Sequence, residues 1–276
     1  MAQSHRRGNF ATSYTLTPWL AFVHWSLGYA VCDDPHRPLY RFDLPHSHNR
    51  IVIDSANGLL LLRDGCANIL FICNPMTREY AELPPLPARS CFYGFGVSKL
   101  TGQYKILCAN QFWSYCIYTI GQEEELWRSI AAPPCNTVHS DYAVFFNGNL
   151  HRLEYDFKKN LFVCCFDLDT ELFTGFSLPN YGGNKFSNYR LCTLDGKLCF
   201  CHMLEKFDVV IWWMNNYGDE NSWTREYNFS GMSYMYGFVY PLKILANGDL
   251  LFITDVYAKL FLYVKSTKPS EPIEWH

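Results

Sequence analysis

Asp54, Asp156, Asp167 and Asp255 each close an apolar, strand-like run, where carboxylates could converge in pairs for glycosidic hydrolysis. The same positions suit a simpler task, because an Asp at a strand end accepts hydrogen bonds from the backbone of the following turn. The turn role is the stronger reading. Cys199, Cys201 and His202 gather metal-ligating types within four residues, but alternate strand residues share a face, so His202 points away from the two thiols. No second Cys-x-x-Cys pair completes a tetrahedral set, and no metal is expected. His46 and His48 in "PHSHNR" read as solvated imidazoles, and Glu123, Glu124 and Glu125 as a solvated turn. "GFGVSK" carries Gly94 and Gly96, yet Lys99 stands where a dinucleotide fingerprint needs its third glycine and no helix follows. The sequence lacks a Gly-x-Ser-x-Gly elbow, a His-Glu-x-x-His pair and a Ser-x-Asp-x-Gly-x-x-Trp box. No catalytic residues and no cofactors are expected.

The elements that position these residues are strands. Segments such as "RIVIDSA", "YAVFFNG", "LFVCCFDLD" and "VVIWWMN" alternate or run apolar over five to eight residues, and no longer window carries a helical stripe. Glycine turns at Asn57-Gly58, Thr101-Gly102, Asn147-Gly148, Asp195-Gly196 and Asn247-Gly248 recur at steps of 44, 46, 48 and 52 residues. Such pairs supply the positive-φ residues of tight hairpins, and a period near 45 residues is that of a β-propeller blade. One unit is legible in full: "DYAVFF", "NLHRLEYD", "LFVCCFDLD" and "TELFTGFSLP" predict four strands. Fourth strands recur as "TREYAELPP", "ELWRSIAAPP" and "SWTREYNF", where proline blocks further edge pairing. A shorter first unit has room for about three strands, and the last ends early at "PIEWH". The expectation is an all-β, six-bladed propeller of about four antiparallel strands per blade, its termini sharing the closure, over residues 17–276, with 1–16 as a linker remnant.

Composition agrees with a packed globule: of 276 residues, 49% are hydrophobic and only 18% charged. A net charge of -3 gives no basic footprint for nucleic acid. The longest apolar runs fall short of a membrane span, and "MAQSHRRGNFATSY" has no signal-peptide core, so a cytoplasmic and/or nuclear location and no membrane partner are expected. The twelve cysteines lie inside apolar runs, which predicts reduced, mostly buried thiols. The sequon Asn228-Phe229-Ser230 would matter only in a secreted protein.

"SANGLLLL", "ICNPMTREYAELPPLP", "YGFGVSKLTGQYKILC", "GKLCFC", "VIWWMNNYGDENSWTREYNF" and "PLKILANGDLLF" occur in one order over about residues 17 to 265. Together they resemble the F-box-associated domain of plant F-box proteins, and "TPWLAFV" looks like the start of the related kelch-type propellers. The resemblance implies a non-catalytic propeller that recruits a target protein for ubiquitination, with a separate F-box docking it to a Skp-type adaptor and cullin. The stretch before "TPWLAFV" is too short for that F-box, so ligase attachment needs an F-box supplied elsewhere. A carbohydrate-active hydrolytic propeller and a scaffold without ligase attachment are the alternatives.

In a propeller the second-to-third-strand loops and the links between blades share one rim, and longer loops are the better binding surface. On this rim "HSHNR", "PARSCF", "ANQFW", "YDFKKN", "NYGGNKFSNYR" and "SGMSYMYG" supply aromatic and basic side chains. Such types dominate protein interfaces. The partner-binding candidates are Arg50, Arg89, Phe112, Trp113, Phe157, Lys158, Phe186, Arg190, Tyr234 and Tyr236. Trp212 and Trp213, adjacent on a strand, must face opposite sides and are left out of the site.

Overall fold

The computed structural model describes residues 20–273 except 25–27, 33–40, 43–49, 66, 76, 78, 89, 111, 113, 123–125, 134, 136, 139–142, 183–188, 205–207, 230–238, 255–259 and 266–269. For 20–50, 91, 137–138, 260 and 270–273 it describes the backbone alone. The chain forms two compact units, residues 1–83 and 84–276. Among the described residues the helical content is one turn of 3-10 helix, Glu220–Ser222, capped by the Asp219 side chain, and no helix is long and apolar enough to cross a membrane.

The first unit holds two antiparallel sheets. Strands β1 (Leu20–His24), β2 (Gly28–Cys32) and β3 (Arg41–Phe42) form one. Strands β4 (Arg50–Ala56), β5 (Leu59–Asp64), β6 (Leu70–Asn74) and β7 (Glu79–Glu82) form the other, paired in sequence order. Leu59 to Leu62 are all buried rather than alternating, as a strand covered on both faces requires. Leu60, Leu62, Phe71 and Cys73 pack together with Val52 and Ile69, whereas β7 is largely exposed, as befits an outer strand.

The second unit repeats the sequential four-strand order. Its first sheet is β8 (Ser90–Val97), β9 (Tyr104–Asn110), β10 (Tyr115–Thr119) and β11 (Arg128–Ile130). The next contains β12 (Thr137–Val138), β13 (Val144–Phe146), β14 (Asn149–Tyr155), β15 (Leu161–Asp167) and β16 (Phe173–Ser177). Both β12 and β13 pair with β14, at its two ends, so the first strand of this sheet is split. The third sheet is β17 (Tyr189–Leu194), β18 (Lys197–Met203), β19 (Val209–Met214) and β20 (Trp223–Phe229). The fourth is β21 (Val239–Ile244), β22 (Leu250–Thr254), β23 (Leu260–Tyr263) and β24 (Ser270–Ile273).

The expected six blades are corrected to five. Among the described residues five sheets have at least four strands, whereas the segment from Leu20 to Phe42 supplies three, the last only two residues long. Nor does the last sheet lack a strand: Ser270–Ile273 pairs with β23 and completes it locally.

The hairpin turns divide into two kinds. Asn57-Gly58, Asn147-Gly148 and Asp195-Gly196 have positive φ at both residues and join strands through two-residue loops, with Ala56 opposite Leu59, Phe146 opposite Asn149 and Leu194 opposite Lys197. This is the twist-matched hairpin turn. Thr101-Gly102 and Asn247-Gly248 have only glycine in that region and sit in wider loops closed by Val97–Tyr104 and Ile244–Leu250. A β-branched Thr disfavours positive φ; Ser98 Oγ accepts from Thr101 N at 3.1 Å and shapes the wider loop.

Within the second unit, neighbouring sheets share apolar layers. Phe92, Leu107, Tyr115 and Ile117 of the first sheet pack with Leu150 and Phe166 of the second. A Cβ on Gly94 would stand 2.9 Å from Leu150 Cδ1, and one on Gly96 would stand 2.5 Å from Phe145 Cδ2. The glycines of "GFGV" therefore admit the adjoining sheet. Leu153 and Val163 pack with Leu198, Phe200 and Met214; Cys199, Ile211 and Tyr227 pack with Leu250 and Phe252. Complete burial of one such Phe contributes about 1.5–3 kcal/mol. Trp212 joins one of these last two layers and Trp213 the other, as strand alternation requires.

Candidate functional site

The antiparallel order of each sheet in the second unit sends its second-to-third-strand loop to the side opposite its first hairpin. In the β9–β10 loop, Asn110 Oδ1 accepts from the backbone N–H groups of Phe112 (2.9 Å) and Ser114 (3.1 Å), and Asn110 N donates to Ser114 O. In the β14–β15 loop, Asp156 Oδ1 accepts from Lys158 N (2.8 Å) and Asn160 N (2.7 Å), and Asp156 N donates to Asn160 O. These hydrogen bonds hold the Asp156 carboxyl below its usual range, those from Asn160 foremost. Both loops are thus organised by an Asx side chain at the end of a second strand. Each displays an aromatic side chain: Phe112 is 78% exposed and Phe157 68%. Lys158 and Lys159 beside Phe157 are exposed too. In the third sheet the β18–β19 loop presents Leu204, 39% exposed, with its N–H bonded to Asp208 O.

The outcome for the expected site residues differs by position. Phe112, Phe157 and Lys158 stand exposed on loops of one class in adjoining sheets. Arg190 does not lie in a loop; it is in β17, half-buried, with its guanidinium 3.4 Å from the centre of the Tyr240 ring. Arg50 is likewise a strand residue, the first of β4, opposite Asp64. Arg89, Trp113, Phe186, Tyr234 and Tyr236 lie outside the described residues, as do His46, His48, Asp255 and Glu123 to Glu125. Sequence reasoning missed Leu204, whose only signal was an apolar residue just past a second strand. It also missed Leu100, Leu126 and Leu172, exposed in hairpin loops on the opposite side of their sheets. There Glu171 bridges Lys105 (2.8 Å) and Arg128 (2.5 Å), and Asp169 bonds Ser98.

Of the carboxylates named for chemistry, Asp156 and Asp167 shape turns, whereas Asp54, expected at a strand end, lies within β4 opposite Leu61. Asp167 Oδ1 accepts from Asp169 N (2.7 Å) and Thr170 N (2.9 Å), and Asp54 Oδ1 accepts from Ser55 N (2.7 Å). Cys199 and Cys201 enter one apolar layer, while His202 stacks on Phe200 in the other. No group of three metal-ligating side chains is assembled among the described residues.

Two charged or titratable clusters are interior. The Arg152 guanidinium stands over the Phe92 ring at 4.4 Å, donates to the Tyr115 hydroxyl, and pairs with Glu154 at 2.7 Å, both partners of the pair being buried. His151 Nδ1 donates to Val144 O (3.1 Å), so Nε2 accepts from the Tyr217 hydroxyl (2.7 Å), which accepts in turn from Asn149 Nδ2 (2.8 Å). Burial lowers His151 to about 4, keeping it neutral. Cys165 Sγ lies 3.6 Å from His151 Nε2, but burial pushes this thiol up and leaves it protonated. The cluster closes its own hydrogen bonds inside the sheet packing.

The sequence matches the family described as the F-box associated beta propeller domain over residues 28–267. The F-box protein At3g07870 of Arabidopsis thaliana is 29% identical over 248 residues, which cover 71% of this chain and 59% of the relative. The F-box protein At5g49610 of the same plant is 28% identical over 226 residues, 69% of this chain and 59% of the relative. The F-box/kelch-repeat protein At2g43445, also from Arabidopsis thaliana, is 24% identical, covering 77% and 56%. The chain thus spans less than two thirds of the length of these relatives. Among solved structures, the SapL1 lectin in complex with alpha methyl fucoside superposes with a TM-score of 0.51 at 9% identity, covering 89% of this chain and 86% of the lectin, a likeness of fold. On the match from 28 to 267 and its repeated four-stranded antiparallel sheets, this chain belongs to the F-box associated beta propeller domain family.

Proposed function

We propose that this chain is a non-catalytic, protein-binding propeller that recruits a target for ubiquitination, docking it on the loops of Phe112, Phe157 and Lys158. The observation that carries the reading is the pair of Asx-organised loops, each holding an aromatic side chain out to solvent in adjoining sheets. An exposed Phe on a loop fixed by its own hydrogen bonds loses little freedom on binding, which favours it as an anchor. Lys158 and Lys159 would orient a segment with acidic character. A Skp-type adaptor and a cullin would join only through an F-box supplied elsewhere, a domain printed in the names of the relatives, and the complex would act in the cytoplasm and/or nucleus.

The test is affinity capture from plant tissue extract with wild-type protein and a Phe112→Ala/Phe157→Ala/Lys158→Glu variant of unchanged melting temperature, read by quantitative mass spectrometry. Loss of a defined set of proteins from the variant supports the docking surface. Identical capture by both rejects it.

A further inference from the structure

Two pairs of described cysteines stand directly opposite each other on neighbouring antiparallel strands, Cys108 with Cys116 on β9 and β10, and Cys192 with Cys199 on β17 and β18. Residues paired in this way have Cα atoms about 4.5–5.5 Å apart, inside the span of about 4.4–6.8 Å that a disulfide bridges. The first pair is already in contact. Cys108 Sγ and Cys116 Sγ lie 3.0 Å apart as free thiols. Closing them to the bonded distance of about 2.0 Å needs a sulfur movement of about 1 Å, within reach of side-chain rotation.

The pair sits at the neck of the loop that Asn110 organises. Cys108 stands two residues before Asn110 and Cys116 two residues after Ser114, so a bond between them would fasten the turn that presents Phe112. Leu107, Ala109, Tyr115 and Ile117 enter the apolar layer shared with the next sheet, and strand alternation sends the two thiols to the other face.

We propose that Cys108 and Cys116 form a redox site, which a peroxide closes reversibly into a cross-strand disulfide at the neck of the Phe112 loop. Any effect on target capture rests on the docking role of Phe112, whereas the thiol chemistry rests on the 3.0 Å contact between opposed residues. Cys116 is 9% exposed and Cys108 0%, which gives an oxidant access to Cys116 first. The hydrogen bond from Cys108 outweighs burial and holds the Cys116 thiol below its ordinary value, which raises its thiolate fraction. Cys116 is therefore the attacking sulfur and Cys108 the resolving one. At the second pair, a hydrogen bond with Cys199 and burial hold the Cys192 thiol well above its ordinary value, so this pair stays reduced and serves as an internal comparison.

The Cys116 thiolate attacks one oxygen of hydrogen peroxide. The O–O bond breaks, Cys116 becomes a sulfenic acid, and the other oxygen leaves as hydroxide and takes a proton to become water. Cys108 then forms the S–S bond, and the sulfenic oxygen leaves with the Cys108 proton as a second water. Two thiols lose two electrons in total, and one peroxide gains them.

The test treats the reduced, folded protein with equimolar hydrogen peroxide at pH 7, alkylates it, cleaves it with chymotrypsin without reduction and maps the thiols by mass spectrometry. Cleavage after Phe112 or Trp113 separates the two cysteines, so the disulfide is read as two linked peptides that dithiothreitol releases. Cys108 and Cys116 should lose their thiols together, before Cys192 and Cys199 do. In Cys108→Ser, dimedone should trap Cys116 as a sulfenic acid; in Cys116→Ser, Cys108 should stay reduced while the protein is folded. The wild-type map decides the matter even where a variant fails to fold. A first crosslink at Cys192–Cys199, unmodified Cys108 and Cys116 in the folded protein, or oxidation of this pair only after unfolding in urea would overturn the proposal.

Discussion

Titrating His151 tests whether the interior of the second unit is as closed as its hydrogen bonds indicate. The ring is 0% exposed and burial lowers it to about 4, against an ordinary 6.5. Because the folded protein resists the proton and the unfolded chain accepts it, His151 contributes full stability above pH 6.5. The contribution falls as pH drops and reaches its floor near pH 4. At pH 5 the linkage relation gives a loss of about 2 kcal/mol relative to neutral pH. His202, which accepts from Trp212 Nε1 at 3.2 Å, is also lowered to about 4, by burial and then by the charge of Arg225. It adds a loss of similar size. The carboxyls of Glu171 and Asp169 are held low, so their contributions are lost mainly below this window. The assay is urea unfolding followed by tryptophan fluorescence at pH 7.5, 6 and 5 for wild type and His151→Gln, a variant that retains an acceptor for Tyr217. The variant should start about 1 kcal/mol less stable at pH 7.5. Between pH 7.5 and 5 it should lose about 2 kcal/mol less than wild type. Parallel losses in the two proteins would refute the burial of a neutral His151.

Two further substitutions probe the same packing. Gly96→Ala places a methyl 2.5 Å from Phe145 Cδ2 and 2.6 Å from Leu168 Cδ1, and should destabilise by about 1–3 kcal/mol, measured by thermal unfolding, with partial relief from Phe145→Leu. Glu154→Gln leaves the buried Arg152 guanidinium without its counter-charge and should cost about 3–5 kcal/mol, whereas the joint replacement Arg152→Met/Glu154→Leu should recover most of it in denaturant titrations.

Much of the architecture was legible because it rests on local rules. Asn57-Gly58, Asn147-Gly148 and Asp195-Gly196 announce turns whose φ values only such residues adopt readily, and alternation alone separates Trp212 from Trp213. The blade count failed because a turn pair shows where strands meet but not how many follow: among the described residues the sheet of Arg41–Phe42 has three strands, while Ser270–Ile273 completes another. The exposed loop positions were half legible. Phe112 and Phe157 follow Asx residues that close second strands, a spacing visible in the sequence. Arg190, by contrast, is drawn over Tyr240 from a different sheet, a contact between residues fifty positions apart that no local pattern encodes. The Lys105–Glu171 pairing is hidden for the same reason.

The two-residue hairpins also govern where this architecture can change. One residue added within Asn147-Gly148 would slip β14 against β13 and exchange the side chains it sends to its two buried faces, whereas the loops bearing Phe112 and Phe157 can lengthen without altering any strand register. Diversification is thereby steered away from the two-residue turns and towards the longer loops, where insertions leave the folding instructions of the frame beneath intact.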